Sequence, residues 1–74
     1  GTSYKEQALF YKFKSAYELG MNSIYNKKQE RIKNALKVYS RYKKLFPNSD
    51  FIKEADDLYQ KLTKEKQLLT KQIS

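Results

Sequence analysis

Backbone-breaking residues are almost absent from this chain: Pro47 is its one proline, and Gly20 is its one glycine after the first residue. Proline stops a helix because it lacks an amide proton and clashes with the preceding turn, and glycine weakens one entropically. The long stretches between these positions are therefore free to be helical. They are rich in Lys, Leu, Ala, Gln and Glu, which favour helix, whereas Val38 is the only valine and no β-branched alternation marks a strand. The expected fold class is all-α, with three antiparallel helices. At 74 residues the chain is one small domain or part of a larger one.

Apolar spacing places the helices. The first is expected over about 4–26, with Leu9, Phe13, Ala16, Tyr17, Gly20 and Ile24 at three- and four-residue steps on one face. Phe10, Tyr11, Leu19, Met21 and Tyr25 widen that face, so this helix should touch neighbours on more than one side. Asn26-Lys27-Lys28-Gln29 reads as the polar turn. The second helix is expected over about 30–46, with Ile32, Ala35, Leu36, Tyr39, Tyr42, Leu45 and Phe46 inward and Lys33, Lys37, Arg41 and Lys44 outward. Pro47 ends it, Asn48 or Ser49 can cap the next helix, and Asp50 suits the positive end of that helix's dipole. The third helix is expected over about 50–71, striped by Phe51, Ala55, Leu58, Tyr59 and Leu62, with Leu68, Leu69 and Ile73 continuing the edge. Leu58, Leu62, Leu69 and Ile73 also hint at a short coiled-coil seam, over too few heptads to define one.

Several chemistries are excluded by composition. Without cysteine or histidine there is no disulfide framework, thiolate or imidazole base, and no structural zinc site. No Gly-rich phosphate loop is present, and the adjacent Asp56 and Asp57 diverge by about 100° on a helix, so they cannot converge on one site. No catalytic, cofactor or metal site is expected, and the chain reads as non-enzymatic. The longest uncharged stretch, Leu19 to Asn26, falls far short of the roughly 20 apolar residues that span a bilayer. No secretory signal is visible, and Gly1-Thr2-Ser3 is compatible with a cloning remnant.

Sixteen basic against eight acidic residues give a net charge of +8. The basic set is lysine-dominated and dispersed, which suits a solvated surface or an acidic protein partner better than the Arg-rich, phosphate-forking surface of a dedicated nucleic-acid binder. The outer stripe of Lys33, Lys37, Arg41 and Lys44 is the candidate partner-facing patch; its alternative is a solvated face. Tyr11, Tyr25, Tyr39 and Tyr42 are open to two readings, recognition surface or helix core.

One spacing pattern goes further. Ala35, Tyr39, Tyr42 and Pro47, followed by Ala55, Leu58, Tyr59 and Leu62, resembles the second helix of one tetratricopeptide repeat and the first helix of the next. A small residue lets paired helices approach, aromatics fill the groove between them, and the proline ends one unit so the next can stack. Ala16-Tyr17-Glu18-Leu19-Gly20 resembles the end of a repeat's first helix. The interval from Tyr17 to Ala35 is about twice that of the consensus; the added residues, Met21 to Gln29, read as extra turns forming an elbow at the hairpin.

With that elbow, Ala8-Leu9-Phe10, Lys14 to Leu19, Ala35 to Tyr42 and Phe46 to Phe51 with Glu54-Ala55 resemble the C-terminal repeat of BamD-type outer-membrane assembly lipoproteins, over about residues 5–62. The resemblance implies a tetratricopeptide-like superhelix fragment of a periplasm-facing lipoprotein, anchored through an upstream lipidated cysteine. It implies a scaffold of the β-barrel assembly machinery that docks other components, including the POTRA domains of the barrel-forming subunit, by shape, apolar contact and charge. The alternatives are a basic helical nucleic-acid-binding module and a tetratricopeptide-like adaptor unrelated to barrel assembly.

Overall fold

The computed structural model describes residues 4–73, with side chains to Lys71. Gly1-Thr2-Ser3 and the Ile73 side chain, named above, lie outside the described residues. Three α-helices follow one another: α1 (Tyr4–Met21), α2 (Tyr25–Leu45) and α3 (Ile52–Ile73). They pack as an all-α bundle of 45 × 16 × 15 Å.

The first turn lies earlier than the polar run suggests. α1 ends at Met21, and Asn26 to Gln29 belong to the first turns of α2. Two side chains explain the stop. Asn22 Nδ2 donates to the Glu18 carbonyl at 2.9 Å, and the Ser23 hydroxyl donates to the Leu19 carbonyl. Short polar side chains of this kind satisfy the orphan carbonyls of a helix end in place of a further turn. Ile24 then takes an extended conformation (φ −68°, ψ 159°), and its carbonyl accepts from the Lys28 amide at 2.9 Å to start α2. Asn26 to Gln29 are polar but carry no breaker, so they extend the helix. The expected elbow is thus a tight turn plus a longer α2, and Ile24, expected on the apolar face, is 70% exposed.

α1 and α2 form a close antiparallel hairpin. Phe10 meets Tyr42, Phe13 meets Tyr39, and the Gly20 backbone meets Ile32, so each step forward on α1 is a step back on α2. A Cβ on Gly20 would sit 3.3 Å from Ile32 Cγ1 and 3.4 Å from its backbone nitrogen; the absence of one lets the helices touch here. Ala35 on α2 is fully buried.

The inward faces are largely those expected, with Leu9, Phe13, Ala16, Tyr17 and Gly20 on α1 and Ile32, Ala35, Leu36, Tyr39, Tyr42 and Phe46 on α2 buried or packed against the core, but Phe10 and Val38 join them and Leu45 does not. On α1 Phe10 is buried and Leu9 only partly so. On α2 Val38 is buried with Ile32, Ala35, Tyr39 and Tyr42, while Leu45 is 54% exposed. α1 is apolar over much of its girth, so more than one rotation satisfies its pattern.

α3 runs antiparallel to α2 and is shifted along the bundle. α2 ends at Leu45, capped by Phe46, whose amide donates to the Tyr42 carbonyl at 2.8 Å, and Pro47 prevents a further turn. The loop brings Phe51 to stack on Phe10 at 4.7 Å between centroids. Phe10 is six residues into α1, so α3 starts about 9 Å up the hairpin. From there Tyr59 stacks on Tyr39 at 4.4 Å, and Glu65 pairs with Lys28 at 2.7 Å. Ala55, Leu58, Leu62 and Leu69 enter the common core. Leu58, Leu62 and Leu69, the described part of the hinted seam, are used within the chain.

Candidate functional site

The polar centre of the bundle lies at the lower end, where all three helices meet. Ser49 is the one buried polar residue among those described. Its hydroxyl donates to Glu6 Oε2 at 2.8 Å and accepts from the Phe51 amide at 3.1 Å. It also bonds the Tyr42 hydroxyl. A serine hydroxyl has one proton and two lone pairs. With the proton given to the carboxylate, Tyr42 must be the donor to Ser49, and all three sites on the oxygen are used. Burial is the leading cause that pushes the Tyr42 phenol pKa up. Ser49, expected as a helix cap, thus ties α1, α2 and the start of α3 together.

A second internal bond joins the Tyr39 hydroxyl to Asp56. Burial, and then this bond, push the Tyr39 pKa up. Asp57, next in sequence, turns to Lys61 at 3.3 Å, so the acidic pair diverges. Among the described residues no three His, Cys, Asp or Glu side chains are gathered as a metal site. No helix there is long and apolar enough to cross a membrane.

The outer surface is basic because cations outnumber acids sixteen to eight, and several of the acids already have partners. Glu6 and Asp56 are held by hydroxyls, while Glu54, Asp57 and Glu65 are paired with Lys14, Lys61 and Lys28. The excess cations face solvent, including Lys33, Lys37, Arg41 and Lys44, all exposed along α2. Tyr11 and Tyr25, the other expected partner-binding residues, are 53% and 46% exposed. Tyr39 and Tyr42 are in the core.

These exposed residues do not converge. Concave features lie along the second half of α3 and at the start of α2, and a groove of about 360 Å³ lies between the start of α1 and the end of α2. Tyr4, Ala8, Leu9, Leu45 and Phe46 supply its apolar lining, and Lys5, Lys12 and Arg41 its charge. Of the six residues singled out for partner binding, Arg41 alone lines it. Leu45 was assigned to the core and Leu9 to the main apolar face. The available signal was Arg41-Leu45 at four-residue spacing, which puts a cation and an apolar side chain on one outward strip of α2.

The residues singled out as a repeat signature divide by burial. Ala35, Tyr39, Tyr42, Ala55, Leu58 and Leu62 are buried, Ala16 and Tyr17 partly so, and Pro47 and Tyr59 are exposed. Compared with family models, curated proteins and solved structures, the chain matches none.

Proposed function

We propose that this chain is a non-enzymatic protein-docking unit, built as a tetratricopeptide-like helix pair followed by the first helix of the next unit. The observation that carries this reading is the groove: an apolar surface left open beside a complete core, ringed by cations that none of the described ion pairs uses. Apolar floors with a charged rim are the usual anatomy of a protein-binding surface. The close approach at Gly20, the buried Ala35 and the break at Pro47 between α2 and α3 support the repeat-like assignment.

The sequence resemblance to BamD-type lipoproteins supplies the biological setting of the proposal. In that setting the chain belongs to the periplasmic face of the outer membrane and docks partners in β-barrel assembly, POTRA domains among them. A tetratricopeptide-like adaptor in another pathway would use the same surface.

The nucleic-acid reading is less favoured. Base stacking needs free aromatic faces; Phe10, Tyr39, Tyr42 and Phe51 are committed inside the bundle, which leaves that role to the exposed Tyr4, Tyr11 and Tyr25.

Calorimetric titration of the chain with purified POTRA domains, and separately with single-stranded oligonucleotide, tests the reading across a salt series. Saturable POTRA binding that persists as salt rises is the expected result. Binding to the oligonucleotide alone, weakening by about 0.7 log unit per neutralised phosphate for each tenfold rise in salt, would replace the proposal with the nucleic-acid reading.

A further inference from the structure

We propose that the groove between the start of α1 and the end of α2 seats an acidic amphipathic helix of a partner protein. This deepens, and rests on, the protein-docking reading above.

Charge complementarity selects the occupant. Lys5 and Lys12 stand two turns apart on one wall, about 10.5 Å along α1, and Arg41 stands on the other. No acidic side chain lines the groove. Glu6, adjacent to Lys5, is turned into the bundle and held by Ser49. Lys5, Lys12 and Arg41 take part in no ion pair among the described residues. The three cations are therefore available to an incoming carboxylate on either side, and Arg41 can take one in bidentate fashion.

The lining selects the form of that occupant. Tyr4, Leu9, Leu45 and Phe46 line an open groove between two antiparallel helices. A helix laid there would place apolar anchors at i, i+3/i+4 and i+7 into the groove, and the positions flanking those anchors would face Lys5 and Lys12 on one side and Arg41 on the other. Glutamates at these flanking positions complete the match. A phosphate chain would satisfy the cations but leave the apolar floor uncovered, and a basic peptide would meet like charge.

The test uses the full chain, isotopically labelled for amide NMR. The probe is a synthetic amphipathic peptide of about 18 residues, with leucines at anchor positions and glutamates flanking them. A second peptide carries lysines in place of the glutamates, and oligothymidylate is the third probe. The acidic peptide is expected to shift the amides around Lys5, Leu9, Arg41 and Leu45, while the lysine peptide leaves them unmoved. Arg41→Glu and Leu45→Asp should each weaken acidic-peptide binding roughly tenfold. Both side chains are exposed, so circular dichroism should show unchanged helicity.

Shifts located elsewhere, affinity unchanged in both variants, absence of binding, or displacement of the peptide by oligothymidylate would each overturn the proposal. The same two variants titrated with POTRA domains separate the two levels. POTRA binding unaffected by either substitution removes the groove and leaves the docking function. Peptide seated in the groove without POTRA binding removes the barrel-assembly setting and leaves the groove.

Discussion

The Ser49 hydroxyl donates a 2.8 Å hydrogen bond to Glu6 across 43 positions of sequence. It closes the bundle at the end where α1 starts, α2 stops and α3 begins. Ser49→Ala would leave the Tyr42 hydroxyl and the Phe51 amide without their acceptor. A buried donor left unpaired costs about 1–3 kcal/mol, which in a domain this small lowers the melting temperature by about 4–8 °C per kcal/mol. Glu6→Gln removes the charge-assisted acceptor. A double-mutant cycle should show the two substitutions to be non-additive by about 0.5–3 kcal/mol. Additive losses in urea denaturation would mean that the two residues act independently.

Close helix approach makes a second prediction. Ala35 is fully buried and Gly20 touches Ile32 directly. Ala35→Leu should overpack the hairpin and cost roughly 1–3 kcal/mol. Gly20→Ala sets a helix-propensity gain of up to about 1 kcal/mol against a 3.3 Å contact that the flexible end of Ile32 can relieve, so a small net change is expected. Gly20→Val should be clearly destabilising. Thermal melts of the three variants check the order, and an unperturbed Ala35→Leu would contradict the packing described.

Tyr39 and Tyr42 predict the alkaline limit of the fold. Burial leads the rise in pKa at both, and the Asp56 bond adds to it at Tyr39. A phenol with a folded pKa above its unfolded value of about 10 contributes stability that is fully present below that value. The contribution is lost as pH rises through the folded pKa, because above about 10 the unfolded chain releases the proton more readily. Tyr39→Phe lacks this term at that site. Its denaturation midpoint should therefore fall less steeply above about pH 10 than that of the parent. Parallel slopes in urea titrations across that range would remove Tyr39 from the alkaline transition.

The Lys28–Glu65 pair, 2.7 Å apart and largely shielded from solvent, holds the second half of α3 against the start of α2. Glu65→Ala should raise amide hydrogen exchange in residues 66–71 while leaving α1 protected, because local opening follows local contacts. Equal acceleration everywhere would indicate global destabilisation instead.

Much of the helical order was legible because it is a local matter. Three helices, the break at Pro47 and the outward lysine stripe of α2 follow from propensity, proline chemistry and apolar spacing. The turn at Asn22–Ile24 was missed because polarity was weighed over capping: Asn26 to Gln29 are polar yet helix-compatible, while Asn22 and Ser23 supply the side-chain oxygens and nitrogens that close α1. Arg41 was singled out from sequence, but Lys5, Lys12, Leu9, Leu45 and Phe46 were not joined to it.

The sequence by itself determined that this chain is helical, where its proline divides it, and that its surface is strongly basic, since each depends on single residues and near neighbours. Tertiary structure alone decided that Phe10 and Val38 turn inward while Leu45 turns out. It also decided that Ser49 finds Glu6 and that Lys5 and Arg41 face one groove. A helix apolar around much of its circumference, such as α1, has several nearly equivalent rotations, and contacts between residues far apart in sequence choose among them.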